Sequence, residues 1–216
     1  MHIKICGLTN PDDAFAALDA GADMLGFNFY SESPRYIAPT DCSRIVSAVR
    51  NRQSEIAMIG IFVNQPSRFV AEILDLCGLD AAQLSGDEPP HLITRLWGRA
   101  YKAIRSRSIE EAEQDALRFT PLASGEPALL VDAVHAQLYG GTGQVADWAV
   151  ARYLSARCAV LLAGGLTPEN VAEAIRAVEP WGVDVASGVE AAPGKKDHRK
   201  MIDFVKAARS AVAQLA

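Results

Sequence analysis

The chain has 216 residues, half of them hydrophobic and 22% charged, with a formal net charge of −5. That balance suits a single globular domain over residues 1–216 with a large core, and excludes a disordered chain. The acidic balance and the lack of a Lys/Arg run argue against nucleic acid as a partner. No apolar stretch approaches the length of a membrane span. No signal-peptide pattern opens the chain, so a cytoplasmic location and no membrane partner are expected.

Lys4-Ile5-Cys6-Gly7-Leu8-Thr9 reads as a strand running into a turn. Thr9 or Asn10 can cap a helix that Pro11, Asp12 and Asp13 begin and Gly21 ends. Residues 22–29 are the next strand, residues 31–39 a polar loop holding Arg35, and residues 40–50 a helix. Strand 56–63 leads to helix 67–76, strand 81–84 to a helix over 89–97, and strand 101–104 to helix 109–119. Strand 128–132 is followed by a long loop with Gly140-Gly141-Thr142-Gly143, then a helix near Trp148. Strand 159–163 closes at Gly164-Gly165, and Thr167-Pro168-Glu169-Asn170 has the pattern of a helix start. Strand 182–186 and a final helix over 198–212 complete the chain.

Eight strand–helix units with nearly all-apolar strands predict an α/β fold, a closed (β/α)8 TIM barrel. An open doubly wound sheet is the alternative, but no Gly-x-Gly-x-x-Gly follows the first strand.

Strand side chains alternate between barrel interior and helix layer. Cys6 inward places Lys4 inward one layer lower. Asp132 shares a face with Leu130, and Asp184 with Ala186. Cys6 and Asp132 end their strands, so both project into the barrel mouth, where ligands bind in this fold. A thiol and a carboxyl there suit general base and general acid roles; a core cysteine and a turn aspartate are the bland alternative. Strand eight closes against strand one, so Lys4 and Asp184 can pair inside the barrel, and Lys4 can favour a Cys6 thiolate.

Gly164-Gly165, Ser187-Gly188 and Gly141 follow strands seven, eight and six. Glycines let backbone N–H groups approach an anion, and these loops are a common phosphate position in such barrels. Arg35 can hold a carboxylate bidentately, or be an ordinary surface arginine. His135 reads as a solvated loop residue. Cys77, at a helix end, and Cys158, before an apolar strand, read as small buried or half-buried hydrophobes and Cys42 as a helix-start residue, and neither a metal-ligand cluster nor Cys-x-x-Cys spacing is present.

Several stretches, in order along nearly the whole chain, resemble the phosphoribosylanthranilate isomerase family. They include Lys4-Ile5-Cys6-Gly7-Leu8-Thr9, Gly26-Phe27-Asn28-Phe29, Ser33-Pro34-Arg35-Tyr36 and Gly60-Ile61-Phe62-Val63-Asn64. Gln83-Leu84, Asp132, Tyr139-Gly140-Gly141-Thr142-Gly143 and residues 162–171 continue the likeness, as do Asp184–Glu190 and Pro193-Gly194-Lys195-Lys196-Asp197. Ser85 stands where the family commonly has His, and Ala186 where it commonly has Ser.

The resemblance implies a cofactor-free Amadori rearrangement of a small-molecule phosphosugar–anthranilate in tryptophan biosynthesis. Asp132 would then be the acid, Cys6 the base rather than a covalent nucleophile, and Arg35 a contact for the anthranilate. The loops carrying Gly164, Gly165, Ser187 and Gly188 would bind phosphate. A monomer is expected.

Another phosphosugar-processing barrel, such as an aminoaldose isomerase of histidine biosynthesis, is the nearest alternative; that family has Asp where this chain has Cys6. A Schiff-base aldolase would need a strand-end lysine, and neither Lys4 nor Lys102 is placed for it. A non-enzymatic anion-binding barrel would need the phosphate loops without Cys6 and Asp132.

Overall fold

The computed structural model describes residues 1–52, 55–123, 125–132 and 148–214. Eight parallel strands close into a barrel in chain order: β1 (His2–Cys6), β2 (Met24–Asn28), β3 (Ala57–Phe62), β4 (Ala81–Leu84), β5 (Ala100–Ile104), β6 (Leu129–Asp132), β7 (Val160–Ala163) and β8 (Gly182–Val185). β8 pairs back onto β1 with Lys4 opposite Asp184. The closed ring confirms the (β/α)8 expectation and leaves no sheet edge within it.

The strands are apolar because both faces are covered. Met24, Ile59, Tyr101, Ala103, Leu130 and Leu161 pack inside the barrel. Ile3, Ile5, Leu25, Phe27, Leu129, Val131, Leu162 and Val183 alternate with them and pack against the helices. Each such aliphatic side chain contributes about 1.5–3 kcal/mol relative to full exposure.

The outer layer holds α1 (Pro11–Ala20), α2 (Pro39–Arg52), α3 (Ser67–Cys77), α4 (His91–Arg95), α5 (Ile109–Phe119), α6 (Trp148–Ser155), α7 (Val171–Val178) and α8 (His198–Ala213). α1 starts as its sequence dictates: the Asn10 side chain accepts from the Asp13 N–H, and the chain leaves the helix at Gly21 in the left-handed conformation.

Three elements differ from expectation. α4 is shorter than 89–97, because no side chain caps its start and Trp97 already has φ of 50°. α7 begins at Val171, since the Asn170 side chain folds back to accept from the Thr167 N–H rather than continuing a helix. Between β8 and α8 the chain forms a 3-10 turn at Ser187–Val189 and an antiparallel hairpin of β9 (Glu190–Ala192) and β10 (Lys195–Lys196). This hairpin was not foreseen. Among the described residues no helix is long and apolar enough to cross a membrane.

Candidate active site

Cys6 is the last residue of β1 and is 8% exposed. Its neighbour on β2 is Gly26, where an added Cβ would lie 2.9 Å from the Cys6 Sγ and 3.2 Å from Ile61. Only a glycine leaves the thiol its room. Below Cys6 lies a polar network in the otherwise apolar barrel. The Lys4 Nζ donates to Asp184 Oδ1 and to Gln83 Oε1, both at 2.9 Å. The Tyr101 hydroxyl donates to the same Gln83 oxygen at 3.2 Å, and Gln83 Nε2 donates to Ser85 Oγ at 3.1 Å. The expected Lys4–Asp184 pair is therefore present, and Lys4 is fully buried.

Burial would push the Lys4 ammonium down, but Asp184 and the other groups facing it more than reverse this, so it stays charged. Burial pushes the Cys6 thiol up; Lys4 and Lys196 pull it back and Asp184 adds to the rise, and the net direction is upward.

Asp132 ends β6 on the same face as the interior Leu130. Its setting is more polar than an apolar mouth, because Arg105, just past β5, brings its Nε within 3.4 Å of Asp132 Oδ2. Arg105 also donates from Nη1 to the Ser85 carbonyl at 3.2 Å.

Arg35 lies in the β2–α2 loop with its aliphatic stem across Gly7, the residue after Cys6. A Cβ on Gly7 would meet Arg35 Cδ at 2.6 Å, and Gly7 has φ of +78°. Arg35 does hold a carboxylate bidentately, and that carboxylate is the chain's own Glu190, at 2.8 Å from Nε and 2.7 Å from Nη2. The bonds to Glu190 raise the guanidinium's proton affinity, and the two cations beside Glu190 hold its carboxyl below the ordinary range despite burial. Lys196 Nζ donates to Glu190 Oε1 and to the Ala186 carbonyl, both at 3.0 Å.

The loops after β7 and β8 are packed against each other, since a Cβ on Gly188 would collide with the Leu166 carbonyl. Gly164 and Gly165 both take positive φ. Among the described residues the N–H groups of Gly164, Gly165, Ser187 and Gly188 have no hydrogen-bond partner. Gly141 and His135 lie outside the described residues.

Lys102 sits in the middle of β5, and its Nζ donates to Glu88 and to the carbonyls of Leu84 and Gly86. It faces away from the barrel interior, into which the flanking Tyr101 and Ala103 pack. Sequence reasoning gave no role to Gln83, Tyr101, Arg105, Glu190 or Lys196. Gln83, Tyr101 and Arg105 are polar residues inside or just after an apolar strand, and Gln83, Glu190 and Lys196 lie in stretches that carry the family resemblance.

Residues 3–207 match the family model described as N-(5′-phosphoribosyl)anthranilate (PRA) isomerase. A protein of that name from Trichlorobacter lovleyi is 43% identical over 214 residues, spanning 98% of this chain and 100% of the relative. The crystal structure of phosphoribosyl anthranilate isomerase from Thermotoga maritima superposes with a TM-score of 0.88 at 36% identity, covering 97% of this chain and 99% of that one. Another solved isomerase of that name, in complex with reduced 1-(o-carboxyphenylamino)-1-deoxyribulose 5-phosphate, has a TM-score of 0.84 at 34% identity, with 97% and 99% covered.

Proposed function

This chain belongs to the N-(5′-phosphoribosyl)anthranilate isomerase family of tryptophan biosynthesis, aldose–ketose isomerases of the intramolecular oxidoreductase type, and from that premise we propose how its own residues carry the reaction. The substrate is N-(5′-phosphoribosyl)anthranilate and the product 1-(2-carboxyphenylamino)-1-deoxyribulose 5-phosphate. Asp132 donates a proton to the ribose ring oxygen as the C1′–O bond breaks, leaving an open-chain iminium. Cys6, as thiolate, removes the proton from C2′, and the electron pair forms an enolamine. Proton return to C1′ and loss of the enol proton give the ketone. Every step is a proton transfer between substrate and side chains, and the atoms balance without a co-reactant. The single chain is proposed to act as a monomer.

The observation that carries this reading is the position of Cys6. It is a buried thiol at a strand end, given space by Gly26, with the Lys4 ammonium beneath it. A buried cation next to a thiol stabilises its thiolate, which is the form a base requires. Asp132 is less simply placed, because the Arg105 Nε lies 3.4 Å from its Oδ2. The acid role requires Asp132 to carry its proton when the substrate is bound. The N–H groups of Gly164, Gly165, Ser187 and Gly188, without a hydrogen-bond partner among the described residues, support a phosphate cradle across the mouth. Arg35 supports recognition of the anthranilate.

Cys6→Ala and Asp132→Asn should each lower turnover by about 100- to 10,000-fold, the usual worth of a positioned acid or base. The reduced product should still bind both variants with near wild-type affinity by calorimetry. Near-normal turnover in either variant would remove that residue from the mechanism.

A further inference from the structure

The hairpin of β9 and β10 is tied to two catalytic-end loops at once. The Thr9 hydroxyl, after β1, donates to the Gly194 carbonyl at 2.7 Å. Gly194 abuts the Pro34 carbonyl in the β2–α2 loop, where an added Cβ would lie 2.7 Å away. Glu190 itself is 9% exposed, and its backbone carbonyl accepts from Lys200 Nζ at 3.1 Å. Its carboxylate takes both Arg35 bonds, the Lys196 ammonium at 3.0 Å and the Gly194 N–H at 3.4 Å. The Lys196 side chain is completely buried.

Two features of this chain of ions point outward to a ligand. The first is charge. The one Glu190 carboxylate is shared by Arg35 and Lys196, and burial with Arg35 nearby lowers the proton affinity of Lys196 while Glu190 and Cys6 oppose this, so an added anion would favour its charged form. The second is geometry. A guanidinium carries five N–H donors in a fixed plane, and Glu190 engages it side-on through Nε and Nη2. The end-on edge, with both Nη1 donors and the second on Nη2, makes no hydrogen bond among the described residues. The Arg35 side chain is 24% exposed. An end-on edge matches a carboxylate bidentately, and a lysine in its place could not.

We propose that Glu190 and Lys196 are the specificity-determining positioning residues of the site: they lock the Arg35 guanidinium side-on, so that its end-on edge selects a substrate bearing a carboxylate on the aromatic ring. This deepens the isomerase reading and rests on it. Glu190 is not a competitor that the substrate must displace; it stays in place and fixes the plane of the group that reads the ring.

The test compares two ligands by calorimetry on the whole folded protein. One is reduced 1-(o-carboxyphenylamino)-1-deoxyribulose 5-phosphate, and the other is its counterpart built on aniline, which keeps the phosphate and lacks the carboxylate. Wild type should bind the carboxylated ligand about 10- to 100-fold more tightly, as a charged bidentate pair would give. In Glu190→Gln the amide turns one N–H toward the guanidinium, and the preference should fall to within about threefold while the aniline ligand keeps its affinity within about twofold. Lys196→Met removes the second partner that holds the Glu190 carboxylate and should lower the preference in the same way, which decides the matter if Glu190→Gln does not fold. Equal losses for both ligands, or an unchanged preference in a folded variant, would overturn the proposal while leaving the isomerase reading intact. Folded wild-type protein that binds neither ligand would overturn both.

Discussion

At Cys6, burial and charge pull in opposite directions. Burial raises the thiol, and the groups that face it divide: Lys4 and Lys196 lower it, Asp184 raises it, and Arg35 and Tyr101 are also close enough to interact with it. A base whose proton affinity is raised needs higher pH to be free, so kcat/KM should climb as pH rises through the Cys6 titration. Lys4→Met deletes the largest opposing charge and should move this rising limb to still higher pH, with the loss greatest at neutral pH. A pH–rate profile on folded variant would show it, and an unmoved limb would remove Lys4 from the poising of the base. Gly7 makes a separate demand. Its φ of +78° and the 2.6 Å approach of a Cβ to Arg35 Cδ mean that Gly7→Ala strains the turn and displaces the arginine. KM should rise at least severalfold with less change in kcat; an unchanged KM would contradict the placing of Arg35 as a substrate contact.

At the scale of elements, α1 and α8 are joined by a buried carboxylate. Asp13 accepts from the Lys196 N–H at 2.9 Å, lies 2.8 Å from His198 Nε2 and receives the Asn10 amide at 2.8 Å. Burial would raise its carboxyl, but these bonds outweigh it and the net shift is downward. A depressed carboxyl stabilises the fold above the ordinary aspartate range near 3.9, and that contribution fades as pH falls through the folded-state value. Asp13→Asn should therefore cost about 1–3 kcal/mol at pH 7 and progressively less as pH falls below about 3.9, as read from denaturant midpoints. A constant difference across that range would show that the charge is not what matters.

The barrel strands were legible because each is a run of apolar residues bounded by turn chemistry. The Lys4–Asp184 pair was legible because a charge inside such a run must find a partner, and strand closure supplies one. The β9–β10 hairpin was not. Its strands are three and two residues long, too short to show a period, and Glu190 meets Arg35 across 155 positions of sequence. α4 was overextended because its apolar spacing runs on to Trp97, whereas the backbone turns left-handed there.

At the scale of the molecule, ring closure brings Cys6, Arg35, Asp132 and the loops after β7 and β8 to one end of the barrel, although they are scattered over more than 180 residues. Lys4, Asp184, Gln83 and Tyr101 enter the apolar interior as a linked polar set, beneath the proposed base. The same ring places the hairpin over the β1 and β2 loops, so that the base and the arginine share one support. The Cys6–Asp132 assignment depends on this convergence, and the measurement that tests its functional meaning most directly is an assay of the purified protein with N-(5′-phosphoribosyl)anthranilate, following loss of substrate fluorescence. The account predicts consumption of the substrate without added metal or cofactor, abolished in the Cys6→Ala and Asp132→Asn variants. Folded protein that leaves the substrate untouched, or variants that consume it as fast as wild type, would contradict it.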